Sequence, residues 1–277
     1  MTFTITTLVE NTVYMGPKGL KGEHGLSFLI QADDRKILFD TGQTGIFMDN
    51  AEILNADLSD VDTVVLSHGH YDHAGGLERF AEFRTDFTLA GHPDIFCKKQ
   101  ISALGSTRDI GMPVDRETLV AKGVRLSLTS GPAEIGPGIM STGEVPMQTG
   151  FESIEPVFLT EKEGRTLPDP FTDDQALILD TVRGTVVILG CAHRGTANTL
   201  MHVAALTGKT KIHAIMGGLH LGGASGEKLK QIAAVIRNFD IRHIGVGHCT
   251  GHKAVAYLSH EFGDRVFPIG VGQSVKF

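Results

Sequence analysis

The stretch VVLSHGHYDHAGGL, Val64 to Leu77, places three histidines and an aspartate within six positions, between an apolar run and a pair of glycines. An extended chain sends alternate side chains the same way, so His68 and His70 can grip one ion. The turn into the next helix then presents Asp72 and His73 to a second ion nearby. Gly75 and Gly76 let the chain fold tightly beneath both, with no side chain to clash. Imidazole nitrogen and carboxylate oxygen are ligands for zinc, iron or manganese. The alternative is a polar surface loop with incidental histidines, and it does not explain four donors in this order after a buried strand.

Working outward, VDTVVLS before the motif reads as a buried strand, and AGGLERFAEF after it has helical spacing. Upstream, Gly25–Gln31 and Arg35–Gly42 flank Asp33-Asp34 and predict a hairpin. Downstream, Ala176–Asp180 and Thr185–Gly190 flank a turn at Arg183-Gly184. Three strand–helix units close the chain, with strands TVVILG, IHAIMGG and IRHIGVGH and helices TANTLMHVAAL, GEKLKQIAAVIRNF and HKAVAYLSHEF. Strand-rich halves interleaved with helices predict two packed sheets with helices outside, a four-layer αββα sandwich. We expect one domain over residues 1–277, with a loop-rich insertion around 97–172, loops and hairpins over the active face, where periodicity is poor and Gly, Pro and Thr abound.

The three closing strands each deliver a histidine at the carboxyl end: His193, His220 and His248. That is where α/β architectures place their chemistry. Added to the first cluster, they supply donors for two ions. His220 reads as a substrate-facing acid or base, or as a further ligand. Asp40 ends a strand, either orienting a ligand from behind or capping a turn. His24, in a Gly/Lys loop, and His92 are candidates to line the pocket; His92 alternatively caps a strand. Ser225 or Gly226 in GGASGE reads as a helix start. His202, His213, His243, His252 and His260 receive no role.

Composition narrows the class. Of 277 residues, 21% are charged and 41% hydrophobic, the balance of an ordinary soluble globular protein. The net charge of −7, with no basic block, speaks against a nucleic-acid partner. The N-terminus lacks a charged head followed by an apolar run, and no run of 18 apolar residues occurs, so neither a signal peptide nor a membrane partner is expected. Cys97, Cys191 and Cys249 are odd in number and far apart, which fits reduced thiols in a cytoplasmic protein.

SHGHYDHAGGL resembles the HxHxDH signature of the metallo-β-lactamase superfamily. FDTGQTG, GHPD, TGEVP, DDQAL, GCAHRG, GGLHL and GHCTG extend the likeness over nearly the whole chain, toward a subgroup typified by 7,8-dihydropterin-6-methyl-4-(β-D-ribofuranosyl)aminobenzene-5′-phosphate synthase. The resemblance implies an αββα fold and a paired metal centre, zinc first, with iron or manganese as alternatives. It assigns His68 and His70 to the first metal, Asp72 and His73 to the second, and His248 as the last ligand. Where the superfamily usually has a bridging aspartate this chain has Cys191, with His193 two residues on. We take His193 as the ligand and keep Cys191 and Asp174 in reserve; a buried cysteine also serves as a small apolar residue.

Two ions about 3.5–4 Å apart can bind one water, lower its pKa and set it against an ester or phosphoester. Asp72, by holding the second ion, and His220, as proton donor, would be the catalytic residues. The expected activity is hydrolysis of a small phosphorylated or ester- or lactone-type metabolite. The alternatives are the pterin-pathway transferase of the subgroup and a non-hydrolytic redox member. A redox member would tend to carry Glu in place of His70 and an attached flavin domain, for which 277 residues leave no room.

Overall fold

A computed structural model describes residues 1–32, 35–162 and 164–277. In one seven-stranded sheet the spatial order is Ser274–Lys276, Phe3–Val9, Ser27–Ala32, Arg35–Phe39, Thr63–Val65, Thr88–Gly91 and Arg125–Leu128. In the other it is Val266–Pro268, His243–Gly247, Ala214–Gly218, Gly184–Leu189, Ala176–Thr181, Ile139–Ser141 and Ala133–Gly136. The strands around Asp33-Asp34 pair antiparallel from Phe28↔Phe39 to Ala32↔Arg35, while the turn itself lies outside the described residues.

Side chains alternate across each strand, and that alternation builds the layers. Val186 and Ile188 face inward, packing with Phe28, Ile30, Ile37 and Phe39 between the sheets. Val187 and Leu189 face outward, under Leu200 of helix Thr196–Thr207 and Ile232 of helix Gly226–Asn238. On the other side Leu38, Val64 and Leu66 meet Phe47 of helix Ile46–Ile53 and Phe80 of helix Leu77–Phe83. Three apolar layers between two sheets and two helical flanks make the four-layer αββα sandwich. Each fully buried Leu, Ile or Phe contributes about 1.5–3 kcal/mol, so Ile188→Asp would split the central layer. Ser225 caps its helix by accepting from the Lys228 N–H. Among the described residues no helix is long and apolar enough to cross a membrane.

The segment 97–172 is less irregular than a loop-rich insertion, and it does carry hairpins over the histidine-lined face. Lys99–Ala103, Ser106–Asp109, Phe158–Lys162 and Arg165–Pro168 form a separate four-stranded antiparallel sheet. Between them lie the helix Arg116–Ala121 and three strands that extend the two main sheets. These strands are short and their exposed faces polar, as in Ser106–Asp109, where all four residues are exposed. A clear apolar period is therefore missing from the sequence.

Strands Arg35–Phe39, Thr63–Val65 and Thr88–Gly91 run parallel, as do Gly184–Leu189, Ala214–Gly218 and His243–Gly247. The loops leaving these parallel strands carry Asp40, His68–His73, Cys191–His193, His220 and His248.

Candidate metal centre

The loop after Thr63–Val65 is tied down before it delivers any ligand. Ser67 donates its backbone N–H and its hydroxyl to the two oxygens of Asp40, each at 2.7 Å. His68 Nδ1 lies 2.9 Å from the same hydroxyl, and His73 Nδ1 lies 2.7 Å from Asp40 Oδ2. Because Ser67 Oγ already donates to Asp40, it accepts from His68 Nδ1–H, which leaves His68 Nε2 as a free lone pair. The Gly69 N–H donates to Asp173 Oδ2 at 2.9 Å. A Cβ on Gly69 would stand 2.1 Å from the Ile95 carbonyl oxygen, so only glycine fits between the two histidines. Gly75 is required for the same reason, its Cβ position lying 2.0 Å from the Gln43 oxygen. Asp72 and His73 ride on the single-turn helix Tyr71–Ala74.

His68, His70 and His193 each offer a ligand nitrogen within 4.8 Å of the others. The Nε2 atoms of all three are buried and have no hydrogen-bond partner among the described residues. An unsatisfied buried polar atom costs about 1–3 kcal/mol, so three converging on one point call for a shared partner. Burial, the largest cause in each, holds all three well below the ordinary imidazole range. They are neutral, as a metal ligand must be.

A second donor set stands beside the first. His73 Nε2 is 3.1 Å from His248 Nε2 and 3.2 Å from Cys191 Sγ. Asp72 Oδ2 lies 3.4 Å from His248 Nε2 and 3.8 Å from His73 Nε2. The far nitrogens are held from behind, His73 by Asp40 and His248 by Asn11 Oδ1 at 3.0 Å. Glu10 Oε1 accepts the His248 N–H at 2.5 Å. Burial depresses His73, but the Asp40 and Asp72 carboxylates outweigh it and raise the imidazole to about 9. Burial likewise opposes the Asp72 charge, and His73, His24 and His248 overcome it, so Asp72 stays ionised. Cys191 shares one donor group with His68 and His73, a second with His193 and His220, and a third with His248 and Cys249. Its sulfur thus lies between the two sets. Burial raises the Cys191 thiol well above its usual range.

Five non-glycine residues in these loops have positive φ: Asp40 (59°), Phe171 (50°), Ala192 (53°), His220 (48°) and His248 (50°). Each costs on the order of 1–3 kcal/mol, and the loops hold them where ligands must point inward from strand ends. Phe171 stacks on His193 with ring centroids 4.0 Å apart and planes at 12°. Lys99 Nζ also lies over the Phe171 ring, 5.1 Å from its centre. Lys99 is only 1% exposed and donates to Asp169 Oδ2 at 2.8 Å and Asp173 Oδ1 at 2.9 Å. Asp173 also takes the Gly69 N–H, so one buried ion triad braces both His193 and the His68–His70 loop.

The remaining predicted residues take varied places. His24 Nε2 lies 3.1 Å from Asp72 Oδ2 at the half-exposed mouth of the cavity. His220 lies in the cavity wall, its ring 4.2 Å from that of His193, its Nδ1 unpartnered and its Nε2 3.8 Å from Glu155 Oε1. Burial lowers His220, but Cys249 and Glu155 outweigh it and the net shift is upward. Asp174 and His92 stand apart from the two donor sets. Asp174 Oδ2 accepts the Arg194 N–H at 2.8 Å, holding the His193 loop from behind, its Oδ1 is buried with no hydrogen-bond partner among the described residues, and burial raises the carboxyl to about 7. His92 is outside the cavity: its Nδ1 accepts from the Asp94 N–H, capping Pro93–Phe96, and its Nε2 meets Glu144 at 3.2 Å. Sequence reasoning missed Glu10, Asn11, Ser67, Lys99, Phe171, Asp173 and Cys249. Only Glu10-Asn11, a polar pair directly after a strand, carried a local signal.

The sequence model of the metallo-beta-lactamase superfamily matches residues 20–203. A Methanocaldococcus jannaschii protein named 7,8-dihydropterin-6-methyl-4-(beta-D-ribofuranosyl)-aminobenzene-5′-phosphate synthase is 30% identical over 268 residues, 92% of this chain and 90% of that one. The crystal structure of Tm1679, described as a metal-dependent hydrolase of the beta-lactamase superfamily, superposes with a TM-score of 0.85 at 27% identity, covering 99% of this chain and 98% of the other. Zn(2+)-bound PqqB from Methylobacterium extorquens shares the fold at 13% identity, with a TM-score of 0.59 over 98% and 99% of the two chains. By its matched sequence and its αββα architecture, the chain belongs to the metallo-β-lactamase superfamily.

Proposed function

We propose that the protein is a binuclear metal-dependent hydrolase of a small ester or phosphoester. The observation that carries this is the convergence of three unpartnered, buried imidazole nitrogens, His68, His70 and His193, beside a second donor set of Asp72, His73 and His248. Cys191 stands between them as a candidate bridging thiolate. A set of imidazoles, one carboxylate and one thiolate suits zinc or iron(II) better than the harder manganese or magnesium. Bound there, two such ions would supply Lewis acidity and a water acidic enough to act near neutral pH.

The chain's own residues do the rest. Asp40, Ser67 and Asn11 fix the ring orientations from behind, so the ligand nitrogens already point inward before any ion arrives. Phe158 and Phe171 wall off water on one side of His70 and His193. His220, whose hold on a proton is raised by Cys249 and Glu155, lines the cavity as the proton donor for a leaving-group oxygen in this reading.

The relative named as a pterin-pathway synthase supports a second reading, a transferase in which the same centre activates a phosphate ester for substitution by a group other than water. Elemental analysis of protein purified without chelator, followed by a panel of phosphomonoesters, phosphodiesters, esters and lactones, tests both. About two transition-metal ions per chain and metal-dependent turnover of one class are expected. Metal-free protein that takes up no metal overturns the proposal. Full metal content with no hydrolysis of any class moves the weight to the transferase.

A further inference from the structure

The wall of the cavity opposite the histidines comes from the separate four-stranded sheet. Phe158 pairs directly with Ile101, and Ile101 with Arg108. Directly opposed residues share a face, so the three form a row across three strands, and all three line the cavity with His70, His193 and His220. Arg108 is exposed, and among the described residues it is the sole Lys or Arg in that lining. Its guanidinium has no ion-pair or hydrogen-bond partner among the described residues, whereas Arg35, Arg125, Arg183, Arg194 and Arg265, which likewise lack an ion pair, each donate to a backbone carbonyl. The one carboxylate in the lining, Asp72, already faces His24 and His248. The cavity holds about 180 Å³, less than the roughly 300–1,000 Å³ of a pocket enclosing a whole small ligand. Only the reacting group fits inside, and the row that ends in exposed Arg108 offers the rest of a substrate a surface to lie along.

We infer that Arg108 anchors a second anionic group of the substrate, a phosphate or carboxylate, remote from the bond cleaved at the histidine cluster. The inference rests on the metallohydrolase reading of that cluster. A guanidinium offers two parallel N–H donors that match either anion. Its exposed position on an edge strand means that Arg108→Ala leaves the core untouched.

Calorimetry on metal-loaded protein with three non-hydrolysable probes tests it: propylphosphonate, 3-phosphonopropionate and propane-1,3-bisphosphonate. Wild type should bind at least one of the two doubly anionic probes about 10- to 100-fold more tightly than propylphosphonate, the worth of one charge-assisted contact. Arg108→Ala should lose that gain, and Arg108→Lys should keep part of it. A gain for the bisphosphonate alone assigns a phosphate; equal gains for both probes assign a carboxylate as well. No gain in wild type, or a gain that survives in Arg108→Ala, overturns the inference. Repeating the titration after chelation separates the two readings. Propylphosphonate binding that ignores the metal defeats the metallohydrolase reading, while the Arg108-dependent difference is still measured.

Discussion

The hydrogen bond from His73 to Asp40 makes a quantitative claim about metal uptake. In the metal-free chain the His73 imidazole is raised to about 9, its burial outweighed by Asp40 and Asp72. For folding, a raised pKa stabilises fully below the unfolded value near 6.5, and that stability is lost as pH rises from 6.5 through 9. For metal binding the direction reverses. An ion at Nε2 must displace the proton, so affinity at the second site rises with pH up to about 9. At pH 7 the displacement opposes binding by about two pH units, or roughly 2.7 kcal/mol. Asp40→Asn removes the carboxylate whose charge beside Nδ1 favours the doubly protonated ring, and it also removes an acceptor that orients the ring, a loss of the order of 10- to 100-fold in affinity. At pH 9 only the orientation loss remains, and the variant should bind the second ion 10- to 100-fold more weakly. At pH 7 the variant's weaker hold on the proton offsets part of that loss, so its deficit should be smaller than at pH 9. The assay is competitive metal titration against a chelator at both pH values, with calorimetry in buffers of different ionisation enthalpy to count protons. Wild type should release about one more proton than Asp40→Asn. Equal proton release, with a pH-independent affinity ratio, would refute the assignment of His73 as the proton-exchanging ligand.

Three further outcomes follow from the same geometry. His193→Ala removes one of three converging nitrogens and Cys191→Ser hardens the shared donor, so each should lower metal content on elemental analysis; normal content in either variant removes that residue from the centre. His220→Ala should keep both metals and slow turnover by about 10²- to 10⁴-fold, the usual worth of a positioned acid or base, and metal loss in this variant would instead make His220 a ligand. Lys99→Met strands two buried carboxylates and should cost about 3–5 kcal/mol in chemical denaturation, whereas Lys99→Met combined with Asp169→Asn and Asp173→Asn should recover much of it; if single and triple variants unfold alike, the ammonium does not neutralise the pair.

What the sequence by itself determined is local. His68, His70, Asp72 and His73 are neighbours along the chain, so a strand followed by a one-turn helix brings them together whatever the rest does. The closing strands show the same logic: each apolar run of five or six residues ends in a histidine, and parallel strands place those ends on one edge. The αββα layering follows from such runs, because Val186 and Val187 must bury on opposite faces. The tertiary structure alone decided which donors meet. Cys191 and His193 are two residues apart; the positive φ at Ala192 turns both inward, His193 to the His68–His70 set and Cys191 between the two sets. Asp174, a reserve ligand on sequence, has its Oδ2 turned toward the Arg194 N–H instead. Lys99 meets Asp169 and Asp173 across 70 and 74 residues, through a sheet whose short polar strands leave no period to read. Arg108 looks like any surface arginine until the register of that sheet sets it beside Ile101 and Phe158. Contacts of that kind depend on strand pairing over long separations, and one-dimensional pattern carries no record of register.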